Sequence, residues 1–288
     1  MRMARFEHNG MTSTGVIVGD ELADVGPVDP IDLLCSGPAG MEEAVRTAAR
    51  RLPLADVRLL APIPRPPKLL AIGLNYEDHC KEAGMTAPDF PVFFNKQTTC
   101  VIGPGDPIHV PRVSALVDYE VELAIVIGRR CRHVPEARAH EVIAGYTVIN
   151  DVTVRDWQLR APTMTIGKSF DTHGPTGPWV VTADEIADPQ ALQLRAWVNG
   201  ELMQDASTAG MIFGCAAQIQ TLSTAFTLEP GDIIATGTPA GVGMLRQPPV
   251  WLAPGDTVKV EVEGIGAIEN PVIAEPDDTA FIEFPVID

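Results

Sequence analysis

Apolar and polar residues alternate with a period of two over many short stretches of this chain, and turn residues separate the stretches. Lys68–Gly73, Tyr119–Ile127, Gly145–Asn150, Trp179–Thr182, Leu192–Val198, Asp232–Thr236, Thr257–Val262 and Ile265–Asn270 have the make-up of strands. Several are bounded by direct turn signals, namely Asn199-Gly200, Pro230-Gly231-Asp232 and Pro254-Gly255-Asp256. Helical spacing stands out twice. Met41, Ala44, Val45 and Ala48 predict a helix over Met41–Arg51, and Ile212, Ala216, Ile219 and Leu222 predict one over Ala206–Phe226.

Short strands around Met3–Phe6 and Gly15–Val18 precede the first helix, and the stretch from Pro62 to Pro67 holds four prolines. Such a stretch is neither helix nor central strand, so it reads as an extended linker. The pattern therefore predicts a small α/β domain over residues 1–62, a linker over 63–67 and a larger domain over 68–288. The fold class is α+β and β-dominated, with no internal repeat and no low-complexity tract.

Composition narrows the function. A hydrophobic fraction of 45% provides a sizeable core, while Gly 25 and Pro 26 favour turns over a helical bundle. The net charge of −17, from 38 acids against 21 bases, repels phosphate backbones and anionic lipid, so neither nucleic acid nor membrane is an expected partner. A small anionic substrate needs local positive charge, which a bound divalent cation would supply. Cys35, Cys80, Cys100, Cys131 and Cys215 are scattered and form no C-x-x-C, which fits reduced thiols. The opening residues lack the apolar core of a secretory signal and the run Ala124–Gly128 is too short to span a bilayer, so a cytoplasmic protein is expected.

The candidate chemistry begins at Val117-Asp-Tyr-Glu-Val-Glu-Leu-Ala-Ile-Val-Ile127. A strand alternates faces, so Asp118, Glu120 and Glu122 share one side, with successive Cα atoms about 7 Å apart. Like charges this close need a cation between them or a raised pKa. Oxygen-only ligands suit a hard cation such as Mg²⁺, Mn²⁺ or Ca²⁺, and not zinc. A solvated acidic edge strand would give the same spacing. Against it stand the apolar continuation Ala-Ile-Val-Ile and a second strand, Gly145–Asn150, that delivers Asp151 where it ends.

Three further segments accompany the carboxylates. Asn75–Gly84 reads as a short helix whose His79 and Glu82, three apart, lie on one face; the pair is either a general-base dyad or an ordinary exposed polar pair. The loop Thr165–Gly174 holds Lys168. Ala235–Gly243 is a Gly-rich turn after a strand, able to present backbone N–H groups to an oxyanion but lacking both the P-loop ending and the G-x-G-x-x-G helix context.

Asp118-Tyr-Glu-Val-Glu-Leu123, Asn150-Asp151-Val152, Gly167-Lys-Ser-Phe-Asp171 and Thr236-Gly-Thr-Pro-Ala-Gly-Val242 together resemble the fumarylacetoacetate hydrolase family, from about Lys68 to Pro271, and in particular its shorter bacterial branch. The resemblance implies a mixed β-sandwich roll, a homodimer, and Mg²⁺ or Mn²⁺ held by Glu120, Glu122 and Asp151. It implies His79 and Glu82 as the lid dyad, Lys168 as the active-site lysine, and Gln158 and Thr238 as substrate-binding residues. Asp118 lies in the matched motif without a ligand role. Asn95-Lys-Gln-Thr-Thr-Cys100 departs from the more common Lys-Pro-rich version.

The expected activity is hydrolysis of a carbon–carbon bond in a 1,3-dicarbonyl acid, an acylpyruvate or 2,4-diketo acid. Two alternatives stay open: tautomerisation, isomerisation or decarboxylation of a 2-keto diacid such as oxaloacetate, and a catalytically silent metal-binding or ligand-binding module.

Overall fold

The computed structural model describes residues 1–282. Its architecture is α+β and β-dominated, as the alternation predicts. One long mixed sheet runs from Arg50–Pro53 through Glu21–Gly26, Met11–Val18, Arg2–His8, Gly174–Thr182, Ile143–Asn150, Val121–Ile127, Ile233–Ala235 and Leu69–Gly73 to Val92–Lys96. A five-stranded sheet, Glu201–Ser207, Gln193–Val198, Thr257–Val262, Gly266–Ala274 and Ile108–Val110, packs against it. The N-terminal strands enter the long sheet through the antiparallel register Arg2↔Val181 and Met3↔Val180. The hydrogen-bond ladder thus crosses from the first sixty residues into the remainder.

The strand Val121–Ile127 explains why its glutamate can be buried at all. It lies inside the sheet, pairing with Ile143–Asn150 on one side and Ile233–Ala235 on the other, and every residue in it is buried. Val121, Leu123, Ile125 and Ile127 enter the core shared with the five-stranded sheet. Ala124 and Val126 face a second core with Ala71, Phe94 and Ile149. Each of the larger side chains contributes about 1.5–3 kcal/mol by leaving water. Glu122 alternates with the first set and shares the face of Ala124 and Val126, so the packing that holds these residues also holds a carboxylate inside.

Three expectations from periodicity require correction. The helix expected over Met41–Arg51 spans Gly37–Thr47, after a short helix Pro30–Cys35, because Arg50–Pro53 is an edge strand whose Arg50 pairs with Asp24 at 2.5 Å. The second helix is only Cys215–Ala225. Ala206 and Ser207 belong instead to the second arm of the Asn199-Gly200 hairpin, opposite Leu194 and Gln193, where strand pairing satisfies their backbone groups. Strand Tyr119–Ile127 is interrupted: Val117–Asp118 pairs separately with Thr153–Val154, and the regular ladder resumes at Val121. Among the described residues no helix is long and apolar enough to cross a membrane.

His173, fully buried before the strand Gly174–Thr182, places Nε2 2.7 Å from the His109 carbonyl while Nδ1 has no hydrogen-bond partner among the described residues. Burial pushes its imidazolium pKa down to about 3 from 6.5. The unfolded chain therefore takes up this proton first, so the contribution to stability is full above pH 6.5 and is lost as pH falls toward 3. The expected slope from this group is up to about 1.4 kcal/mol per pH unit. Urea unfolding of wild type and His173→Gln between those pH values checks it: the stability difference should shrink steadily as the solution is acidified.

Candidate active site

Glu120 and Asp151 meet because two neighbouring strands end together. Val121 pairs with Asn150, the Asp151 amide donates to the Glu120 carbonyl at 2.9 Å, and the Glu120 amide donates to Asn150 Oδ1 at 2.9 Å. Glu122 lies one register step further along. The three carboxylates each place an oxygen within 4.8 Å of the others, and all three residues are buried.

Three buried cations surround them. Lys168 Nζ lies 2.6 Å from Glu120 Oε2 and 2.7 Å from Asp151 Oδ2. Lys96 Nζ lies 2.6 Å from Asp151 Oδ1 and donates to the backbone carbonyl of Lys168. Arg155 bridges Glu120 Oε1 and Asp118 Oδ2, at 2.7 Å each. Burial opposes charge on Glu120, but Lys168 and Arg155 outweigh it and bring its carboxyl down to about 2. Glu122 goes the other way: burial, then the charges of Asp151 and Glu120, push it well above the usual carboxylate range. Burial opposes the charge on Lys168 as well, yet Asp151 and Glu120 hold its ammonium above its ordinary value, so it is permanently charged.

Two glycines permit this geometry. At Gly167 a Cβ would lie 2.1 Å from the Gln158 amide nitrogen, so only glycine lets the loop close onto the helix Arg155–Gln158 and deliver Lys168. Gly237 has φ +103, and its amide donates to Glu122 Oε2 at 2.7 Å; a side chain there would strike Asn75 Cβ at 2.7 Å.

His79 and Glu82 lie on the helix Glu77–Glu82, with Nδ1 3.4 Å from Glu82 Oε2. Both Glu82 oxygens accept from the Gly241 amide at 3.0 and 3.1 Å, which ties the helix to the Gly-rich turn. His79, Glu120, Glu122, Asp151, Gln158, Lys168 and Thr238 line a single cavity of about 440 Å³. Glu82 stands behind His79 and does not line it. Gln158 Oε1 accepts from Arg155 at 3.0 Å. The Thr238 hydroxyl donates to the Val121 carbonyl at 3.0 Å and accepts from Gln204 at 2.8 Å, so both of its hydrogen-bonding roles are filled from within the protein. Asp118 accepts from the Gly243 and Met244 amides and from Arg155, and is a structural anchor for the turn.

Residues 68–273 match the model of the fumarylacetoacetate (FAA) hydrolase C-terminal domain, and residues 1–62 match an Rv2993c-like N-terminal domain. The chain belongs to the fumarylacetoacetate hydrolase family. It is 42% identical to an oxaloacetate tautomerase (fahd2, mitochondrial) of Xenopus laevis, over 95% of this chain and 90% of that protein. A solved fumarylacetoacetate hydrolase from Exiguobacterium antarcticum superposes with a TM-score of 0.86 at 39% identity, covering 96% of this chain and all of that one. A maleylpyruvate hydrolase from Sphingobium sp. SYK-6, solved with manganese(II) and pyruvate, superposes with a TM-score of 0.80 at 34% identity, covering 96% and 100% of the two chains. These relatives are enzymes, hydrolases and a tautomerase.

The residues present fit a divalent cation. Four buried carboxyl groups, Asp118, Glu120, Glu122 and Asp151, face three buried basic side chains, Lys96, Arg155 and Lys168. The unmatched one is Glu122, which among the described residues has no ion-pair partner and accepts only from Gly237. A donor set of oxygens alone, one charge in excess, suits a hard ion.

Sequence reasoning missed two members of the site. Arg155 lies three residues before Gln158 in the same short helix, so its place beside a named residue was a usable signal. Lys96 was readable from the alternation in Val92–Lys96, which buries Phe94 and Lys96 on one face. Removing the ammonium at Lys96 leaves Asp151 buried with one partner fewer. Lys96→Met is expected to cost about 3–5 kcal/mol, measured by denaturant unfolding in the absence of added metal; an unchanged midpoint would contradict the assignment.

Proposed function

We propose that this chain is a divalent-metal-dependent hydrolase that cleaves a carbon–carbon bond in an acylpyruvate or 2,4-diketo acid. The observation carrying this reading is that His79, backed by Glu82, lines the same cavity as the Glu120, Glu122 and Asp151 cluster and Lys168. Glu120, Glu122 and Asp151 would hold Mg²⁺ or Mn²⁺, which when bound supplies Lewis-acid polarisation of substrate oxygens. The manganese and pyruvate of the Sphingobium hydrolase support both the metal and a pyruvate product.

The chain's own groups account for the proton movements. With Nδ1 committed to Glu82, His79 has Nε2 left to take a proton from water, and the Glu82 carboxylate steadies the imidazolium that forms. The water oxygen bonds to the distal carbonyl carbon. When the adjacent carbon–carbon bond breaks, its electron pair passes into the pyruvate enolate, whose charge the Lys168 ammonium balances. A proton returned to the enolate carbon completes pyruvate and leaves the second fragment as a carboxylic acid. The Gly241 amide that clamps Glu82 makes the dyad part of the turn above the carboxylates, not a free surface pair.

A second reading is tautomerisation of a 2-keto diacid, which the Xenopus relative favours. In that case the same base moves a proton on carbon and no water enters the product. Turnover of a 2,4-diketo acid in oxygen-labelled water decides between them: hydrolysis places one labelled atom in the new carboxylate, and turnover with no label favours the tautomerase. His79→Asn is expected to lower kcat by about 10²–10⁴-fold while metal binding stays as in wild type; an unchanged kcat would remove His79 as the base.

A further inference from the structure

Away from the carboxylates the cavity changes character. Leu74, Met85, Phe94, Leu159, Met164 and Leu245 line it, and the change starts immediately beside the reacting end, where Lys168 Nζ sits 5.3 Å from the centre of the Phe94 ring. Met164 Cε and the Phe94 ring edge converge over Gly73, each within 3.8 Å of the point a Cβ would occupy there. Two of these residues are held in the left-handed backbone region, Leu74 at φ 53 and Met164 at φ 58. A bulky residue in that region costs about 1–3 kcal/mol, and such strain collects at ligand clamps.

Positive charge in this outer half comes from Arg160 alone among the described lining residues. Its guanidinium stacks 4.1 Å over Trp157, 3.7 Å from Asp156, and its side chain is 57% exposed, which places it at the mouth of the cavity. A distal carboxylate lying against Leu74, Phe94 and Met164 would lose water, and Arg160 would have to leave Trp157 and Asp156 to meet it. At the inner end, one divalent ion would turn the single negative excess into a single positive one, which one carboxylate cancels.

From these observations we infer that the site selects keto acids with a single carboxylate, at the reacting end, and an uncharged apolar tail lying against Leu74, Phe94 and Met164. Dicarboxylic acids are disfavoured. The inference rests on the proposed binding of a keto acid at the carboxylate cluster, and it names Met164 as a residue that sets specificity. It also separates this chain from any relative whose substrate carries a carboxylate at each end.

The test compares two ligands of equal length, a 2,4-diketo acid with a straight alkyl tail and the same chain ending in a second carboxylate. Calorimetry with the full chain carrying His79→Asn, in Mg²⁺, measures binding without turnover. The alkyl acid should bind at least about tenfold more tightly, the discrimination that an apolar pocket supplies for small changes in a ligand. Adding Met164→Asn, a residue that tolerates the left-handed backbone, should reduce that ratio below about threefold without lowering the melting temperature. Arg160→Gln should leave the order of the two ligands unchanged.

Equal or tighter binding of the dicarboxylate, or a ratio that survives Met164→Asn, would overturn the inference. Loss of dicarboxylate binding on Arg160→Gln would do so too, by showing that Arg160 receives the second carboxylate. Tight binding of the alkyl acid with no carbon–carbon cleavage by the wild type would leave the preference standing and remove the hydrolase reading. Failure of both ligands to bind would remove both.

Discussion

Everything in this site follows from an excess of carboxyl groups over basic side chains buried in the middle of a sheet. Glu122 sits on a strand with neighbours on both sides, fully buried, beside two other carboxylates and with only a backbone amide to answer it. Burying an uncompensated charge costs several kcal/mol, which is why burial and the neighbouring carboxylates raise the Glu122 pKa and favour its protonated form. Here the packing is the apolar alternation of Val121, Leu123, Ile125 and Ile127, which locks the register and holds Glu122 inside, facing only the cavity.

The surrounding cations are arranged to leave that excess in place. Lys168 and Arg155 neutralise Glu120, Lys96 and Lys168 share Asp151, and Arg155 also answers Asp118. Each is fixed by a second constraint: Lys168 by the close approach at Gly167, Lys96 by the Lys168 carbonyl, Arg155 by the Gln158 amide oxygen. The dyad is attached to the same frame, since the turn whose Gly237 amide meets Glu122 also supplies the Gly241 amide that meets Glu82. The clustered carboxylates, the His79–Glu82 pair and Lys168 are therefore positioned by one connected set of backbone contacts.

Much of this was legible in the sequence, for a physical reason. Strands flanked by Gly turns impose a period of two, and that period put Glu120 and Glu122 on one side and the apolar residues opposite. Asp151 was readable because functional groups gather where strands end. The misread helix at Ala206–Phe226 failed because helical spacing says nothing about the hairpin partner that claims Ala206 and Ser207. Lys96 and Arg155 went unseen because an isolated basic residue is usually solvated, which outweighed the alternation at Lys96 and the nearness of Arg155 to Gln158. The shape of the outer cavity was beyond reach, since Leu74, Phe94 and Met164 converge from three distant segments.

In the proposed metal site Glu122 is the carboxylate that a cation would balance. Thermal unfolding of wild type and Glu122→Gln, each with and without saturating Mn²⁺, tests it directly. Without metal the variant should melt at or above the wild-type temperature, because an amide needs neither a buried charge nor the proton that Glu122 takes up instead, and still accepts from Gly237. With Mn²⁺ at about a hundredfold over its dissociation constant, the wild type alone should gain about 2.7 kcal/mol. A variant that melts lower without metal, together with no Mn²⁺ stabilisation of the wild type, would contradict the account.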